Sequence, residues 1–283
     1  MRTGVRAMAQ AGWGVISTGC RALVAVVLPF TAAAQVGLGL APMRLEIEAV
    51  RGRVYSGPLT LSNEGDSPVR VRAELLDFFI DGSGTPQFAR PAAGESRYSC
   101  RQWLLLNPME AEIPAGKSVV VRYTLRVPAE ADRQSFHCAA GFTTMAIPTR
   151  SDTTGLNTAI RMVTTFYAMI DHPGIEAELS GMSVERVPGN GEARWQAVVL
   201  VKNWGSRYFR PTGKLDVVDD ADALIESSTF PSLPVLPNRE QRFVFPLKTA
   251  NGAQGYRLRA RVDLGTAEIQ EAILKVAQPT QHP

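Results

Sequence analysis

Alternation with a period of two constrains this chain more than any other feature. From residue 36 onward apolar and polar side chains trade places in short runs broken by Gly, Pro, Asn and Asp, with no long stretch of 3.6-residue periodicity. Val119, Val121, Tyr123, Leu125 and Val127 fall on one face of the clearest run, and Val120, Arg122, Thr124 and Arg126 on the other. A half-buried antiparallel strand requires that pattern. Leu45, Ile47 and Ala49 against Arg44, Glu46 and Glu48 repeat it, as do Val69, Val71, Ala73 and Leu75 against Arg70, Arg72 and Glu74. Turns are expected at Asn63-Glu64-Gly65-Asp66-Ser67-Pro68 and Asp81-Gly82-Ser83-Gly84, where Gly and Asn tolerate positive φ. The economical fold is all-β and built as an Ig-like sandwich.

An internal echo doubles that unit. The strand Leu59 to Ser62 runs into Asn63-Glu64-Gly65, and the strand Val199 to Lys202 runs into Asn203-Trp204-Gly205. Ile113-Pro114 precedes a strand in the first half, and Leu236-Pro237 does so in the second. The first half carries about 17 more residues between its two landmarks, and the polar stretch 81–102 is where they are expected. Two sandwich domains follow, 36–171 and 174–277, joined at Asp171-His172-Pro173-Gly174, with 278–283 read as a disordered tail.

The first 34 residues hold Arg2, Arg6 and Arg21 and no acid, then the apolar run Ala22 to Phe30, then Thr31-Ala32-Ala33-Ala34-Gln35. This order of basic start, short apolar core and A-x-A site is that of a cleaved signal peptide, residues 1–34, with the mature chain beginning near Gln35. Pro29 and Gln35 leave the run too short for a membrane anchor, and no later stretch is apolar enough to insert. Export to the periplasm is expected. Cys20 goes with the leader, leaving Cys100 and Cys138 in an oxidising compartment, where they most simply pair. The alternative, free or metal-binding thiols, lacks C-x-x-C spacing and nearby histidines.

The leader's three arginines account for the formal charge of +3, so the mature chain is near neutral and no nucleic-acid partner is expected. Its histidines, His137, His172 and His282, have no ligand spacing, and neither a G-x-S-x-G elbow nor a phosphate-binding loop is present. Asp216, Asp219, Asp220 and Asp222 form the densest acidic cluster, but without EF-hand spacing they read as a hairpin turn. Trp103, Trp195, Trp204, Tyr208 and Phe209 either line a groove or, on alternating strands, fill a core. The residues offer no catalytic constellation, no metal site and no cofactor site, so the chain is not expected to be an enzyme.

Several local patterns in the first half occur in an order that resembles the PapD-like periplasmic chaperones of pilus assembly. They are Pro42-Met43-Arg44, Leu61-Ser62-Asn63, Asn107-Pro108, Ala115-Gly116-Lys117-Ser118, Val121-Arg122-Tyr123, Val127-Pro128 with Asp132-Arg133-Gln134-Ser135-Phe136, Ile147-Pro148, and Phe166-Tyr167. The resemblance covers about 130 residues and implies two sandwiches set at an angle, the first of which lends an edge strand to an incomplete subunit. It implies that Arg44 anchors the subunit's terminal carboxylate, with Thr164 standing where the family has a lysine. Arg161 is expected on the face opposite Thr164, and Leu156, Ile160 and Met162 are the expected donor side chains. The implied function is ATP-independent chaperoning of secreted fimbrial or surface subunits. The implied partners are pilin-like or surface-protein subunits and an outer-membrane usher. A structural or adhesive Ig-like module of the envelope is the alternative, because sandwiches host many functions.

Overall fold

The computed structural model describes residues 37–89, 97–145, 159–187, 194–248 and 255–276. The leader, Gln35, Ile147-Pro148, Leu156 and the tail lie outside these residues. In the first half the strands are β1 (Leu38–Ala41), β2 (Arg44–Ala49), β3 (Val54–Asn63), β4 (Val69–Ile80), β5 (Pro86–Ala89), β6 (Leu104–Asn107), β7 (Glu110–Ile113), β8 (Ser118–Arg126), β9 (Ser135–Met145) and β10 (Arg161–Ile170). The second half holds β11 (Ala177–Val187), β12 (Arg194–Asn203), β13 (Thr212–Val218), β14 (Leu224–Thr229), β15 (Arg239–Leu247), β16 (Tyr256–Asp263) and β17 (Gln270–Val276). The fold is all-β, with four sheets packed in two pairs.

In the first pair, a sheet ordered β1-β3-β8-β6 faces one ordered β2-β10-β9-β4-β5, with β7 also on β4. The alternation sorts as expected. Val121, Tyr123, Leu125 and Val127 are buried, while Arg122 and Arg126 are exposed. The second pair sets β11-β12-β15 against β14-β13-β16-β17 over a core that includes Val199, Val201, Phe243 and Leu258. Pro42 and Met43 carry the chain from β1 in one sheet to β2 in the other, so the N-terminal segment stitches both layers of the first sandwich.

The echoed residues make the same contacts in both halves. Asn63 Nδ2 donates to Ile113 O at 3.0 Å and to Ser67 O at 2.8 Å, and its Oδ1 accepts from Gly65 N at 3.0 Å. Asn203 Nδ2 donates to Leu236 O at 3.2 Å and to Arg207 O at 2.8 Å, and its Oδ1 accepts from Gly205 N at 2.9 Å. Each buried amide thus closes the turn that follows it and ties that turn to the carbonyl of the residue before the echoed proline. A buried amide needs such partners, which explains why asparagine stands at both places.

Alternation fails on β4 for a physical reason. Val69, Val71 and Ala73 point into the first core, but Leu76 and Phe78, on the opposite face, are buried too. They join Ala139, Tyr167, Tyr208 and Leu236 in a small apolar cluster between the sandwiches. The second sandwich covers that face, so both sides of the strand are apolar. Ser135 N donates to Ser206 O at 2.9 Å beside this cluster, and Tyr208 N donates to Ser135 Oγ at 3.2 Å.

Cys100 and Cys138 form a disulfide with Cα atoms 5.3 Å apart. It fastens the stretch before the 3-10 turn Arg101–Trp103 onto β9, where His137 N also donates to Tyr98 O at 2.8 Å. Closing a loop of 38 residues stabilises by about 4 kcal/mol in the chain-entropy model.

Candidate functional site

β10 sits between β9 and β2, but its two neighbours differ in length. β9 pairs antiparallel with Arg161 through Met169, whereas β2 pairs parallel only with Thr165 through Ile170. Among the described residues, 161–164 therefore carry a strand on one side only. Backbone directions follow from two bonds. Thr165 N donates outward to Met43 O, and on the other edge Thr144 N donates to Ile160 O, each at 2.9 Å. Odd-numbered residues of β10 thus turn their backbone groups toward β2 and the unpaired stretch beyond it.

Side chains divide by face. Phe166, Ala168 and Ile170 enter the first core, while Tyr167 enters the cluster between the sandwiches. Ile160 and Met162 are half-buried against the first core, next to the unpaired edge. Leu156 lies outside the described residues.

Arg44 opens β2 opposite Thr165, not Thr164. Register partners share a face, so Arg44 stands with Thr165 and Tyr167 on the side turned to the second sandwich. Thr164 is fully buried on the opposite face, and its hydroxyl donates to Pro42 O at 2.8 Å. The expectation that Thr164 assists Arg44 is corrected by this geometry: the residue faces inward and its proton is committed. Its hydroxyl instead pins the bend by which the N-terminal segment changes sheets. Arg161 does lie on the face opposite Thr164, which is Arg44's face, but it pairs with Glu74 at 2.8 Å.

A second cation, not foreseen from the sequence, reaches this face from the other half of the chain. Arg210 Nε lies 3.1 Å from Glu46 Oε1, and Arg44 Nε lies 3.4 Å from the same oxygen. Arg210 is positioned by Ser232 O, to which its Nη1 donates at 2.8 Å, and by the Tyr167 ring, 5.2 Å from its guanidinium carbon. Burial raises the phenols of Tyr167 and Tyr208, and Glu46's charge adds to the effect, so both remain neutral.

The other sites weighed from the sequence are occupied by structure. Asp219 Oδ1 accepts from Ala221 N and Ala223 N in a turn, Asp216 accepts from Ser227, and Asp222 pairs with Arg257 and Arg259. No group of three or more His, Cys, Asp or Glu side chains is placed to hold a metal among the described residues. His137 is buried on β9, and burial, with Arg239's charge adding, brings its pKa down to about 4. Trp103 packs on Phe136 with ring centroids 4.3 Å apart, and Trp195 and Phe209 belong to the second core. Tyr208 is in the cluster between the sandwiches, and Trp204 is exposed. No helix among the described residues is long and apolar enough to cross a membrane.

No family model and no curated protein matches the sequence. Solved structures do. A chaperone–tip adhesin complex of CFA/I fimbriae biogenesis matches at TM-score 0.46 and 11% identity, over 86% of this chain and 100% of that one. The Salmonella enterica SafA pilin complex with the SafB chaperone matches at 0.43 and 14%, over 86% and 99%. The CsuC–CsuE chaperone–tip subunit complex of Acinetobacter baumannii matches at 0.42 and 15%, over 86% and 98%. The chain is similar, over most of its length and at low identity, to chains in solved structures of fimbrial chaperones and their complexes.

Proposed function

We propose that this chain is an exported periplasmic chaperone that holds secreted fimbrial or surface subunits by strand addition, without ATP, cofactor or catalysis. The observation that carries the reading is the half-paired β10, whose residues 161–164 have one neighbouring strand among the described residues beside the half-buried Ile160 and Met162. An open strand edge with apolar side chains beside it suits an incomplete sandwich, which needs both a backbone partner and apolar filling. Arg44, half-exposed at the end of the paired stretch, is the anchor for a terminal carboxylate. The order of motifs from Pro42-Met43-Arg44 to Phe166-Tyr167 supports the same reading.

Affinity purification from periplasmic extract, with bound polypeptides identified by mass spectrometry, tests it. Small exported β-rich subunits in equimolar amount are the expected result, with an usher recovered only when a subunit is present. Recovery of one large envelope protein in a complex that does not exchange would favour the permanent-module alternative. Recovery of no polypeptide would refute capture.

A further inference from the structure

The contact between Arg44, Glu46 and Arg210 has the form of a bound carboxylate. Two guanidinium groups from different sandwiches approach one oxygen, Glu46 Oε1, at 3.4 and 3.1 Å. Two cations on one anion leave the site with a net positive charge. Arg210 is held in advance by Ser232 O and the Tyr167 ring, and its side chain is only 16% exposed. Glu46 and Arg44 are 42% and 50% exposed, so both can rotate away through solvent. Glu46 and Arg210 also line an open cavity of about 380 Å³ with Met169, Ile175 and Arg207 on its walls. Asp263 stands on the same wall, so a polypeptide end that displaced Glu46 would find apolar surface beside it with two arginines, Arg207 and Arg210, against that one remaining acid.

We propose that Arg44 and Arg210 form a two-arginine clamp for the C-terminal carboxylate of a captured polypeptide, and that Glu46 is an internal carboxylate occupying the clamp until the polypeptide displaces it. This deepens the strand-addition reading and rests on it. The internal carboxylate raises the apparent dissociation constant of any clamp ligand by the inverse of the fraction of time the clamp stands empty, a uniform factor that puts weakly held free anions out of range while a ligand that also gains a strand ladder still binds. The clamp also makes one ligand group touch both sandwiches at once.

The test uses a synthetic peptide of alternating valine and threonine with a free C-terminal carboxylate, and its C-terminal amide, titrated calorimetrically into the mature protein. The acid should bind roughly tenfold more tightly than the amide, a ratio typical of charge-assisted contacts at a part-exposed site. Glu46→Gln should tighten the acid by about two- to fivefold and leave the amide unchanged. A folding defect cannot produce that gain. Arg44→Gln and Arg210→Gln should each remove most of the preference for the acid. Equal binding of acid and amide overturns the clamp while leaving strand addition standing. A preference that survives Arg210→Gln removes Arg210 from the site, and an acid affinity unchanged by Glu46→Gln overturns its role as competitor. Failure of both peptides to bind overturns strand addition, and the clamp falls with it.

Discussion

Replacing Val163 by proline probes the unpaired edge through the backbone, with a smaller change in packing where the half-buried side chain meets the cluster between the sandwiches. Odd residues of β10 direct their N–H outward, as Thr165 shows by donating to Met43 O, and β2 does not reach Val163. A proline there deletes a donor that the free chain does not use in a ladder, so the backbone change should cost the folded protein less than about 1 kcal/mol, and the trimmed contact of the half-buried side chain with the cluster between the sandwiches adds to it. At Met162 the same change acts on the other edge, where the residue pairs with Phe142 on β9. Phe142 is fully buried, so orphaning its carbonyl costs about 1–3 kcal/mol before any strain is added. For an added strand the order reverses. Val163→Pro removes one interstrand hydrogen bond, worth about 1 kcal/mol, and sets a ring where the incoming backbone must lie, so capture should fall at least about fivefold. Thermal melts of both variants, with client recovery counted per folded molecule, make the comparison. The reasoning fails if Val163→Pro keeps full recovery, or if it melts as early as Met162→Pro.

Changing Cys100 and Cys138 together to serine should lower unfolding free energy by about 4 kcal/mol in urea titration, and reductant should reproduce the loss in the unaltered chain. An unchanged midpoint would show that the bridge constrains nothing. Asn63→Ala and Asn203→Ala should each cost about 2–4 kcal/mol, since each strips several buried hydrogen bonds at once. A large loss at one position and none at the other would contradict their structural equivalence. His137 has a folded-state pKa of about 4 against 6.5, so the unfolded chain takes up its proton first as pH falls. Its contribution is intact above pH 6.5 and is lost between 6.5 and 4, to a total of about 3 kcal/mol. A His137→Gln variant with the same slope of stability against pH would rule this out.

Features carried by local pattern are legible in the sequence. The alternation of β8 sorted Arg122 and Arg126 from Tyr123 and Leu125, and the Asn63 and Asn203 echo marked the same turn in both halves. Period two separated Arg161 from Thr164 on β10, but which of its faces turns into the first core was not legible, because both are covered: Phe166 and Ala168 by the first core, Tyr167 by the second sandwich. Val163 through Ile170 therefore show no alternation that would place Thr164. Arg210 was invisible for another reason. It meets Glu46 across 164 residues of sequence, and nothing near either residue signals a long-range pair.

The parallel pairing of β2 with β10 also gives the site a direction. Arg44 is where the chain's own strand begins, so a foreign strand on residues 161–164 must meet β2 end to end, as in a butt joint. If its terminal carboxylate rests at Arg44, the foreign strand runs toward that joint and lies parallel to β10. Parallel ladders are slightly weaker per residue than antiparallel ones. A hold of that kind would be polarised, loaded tail-first against a fixed stop, and softer than an antiparallel ladder within a finished subunit, which would leave the cargo free to move on.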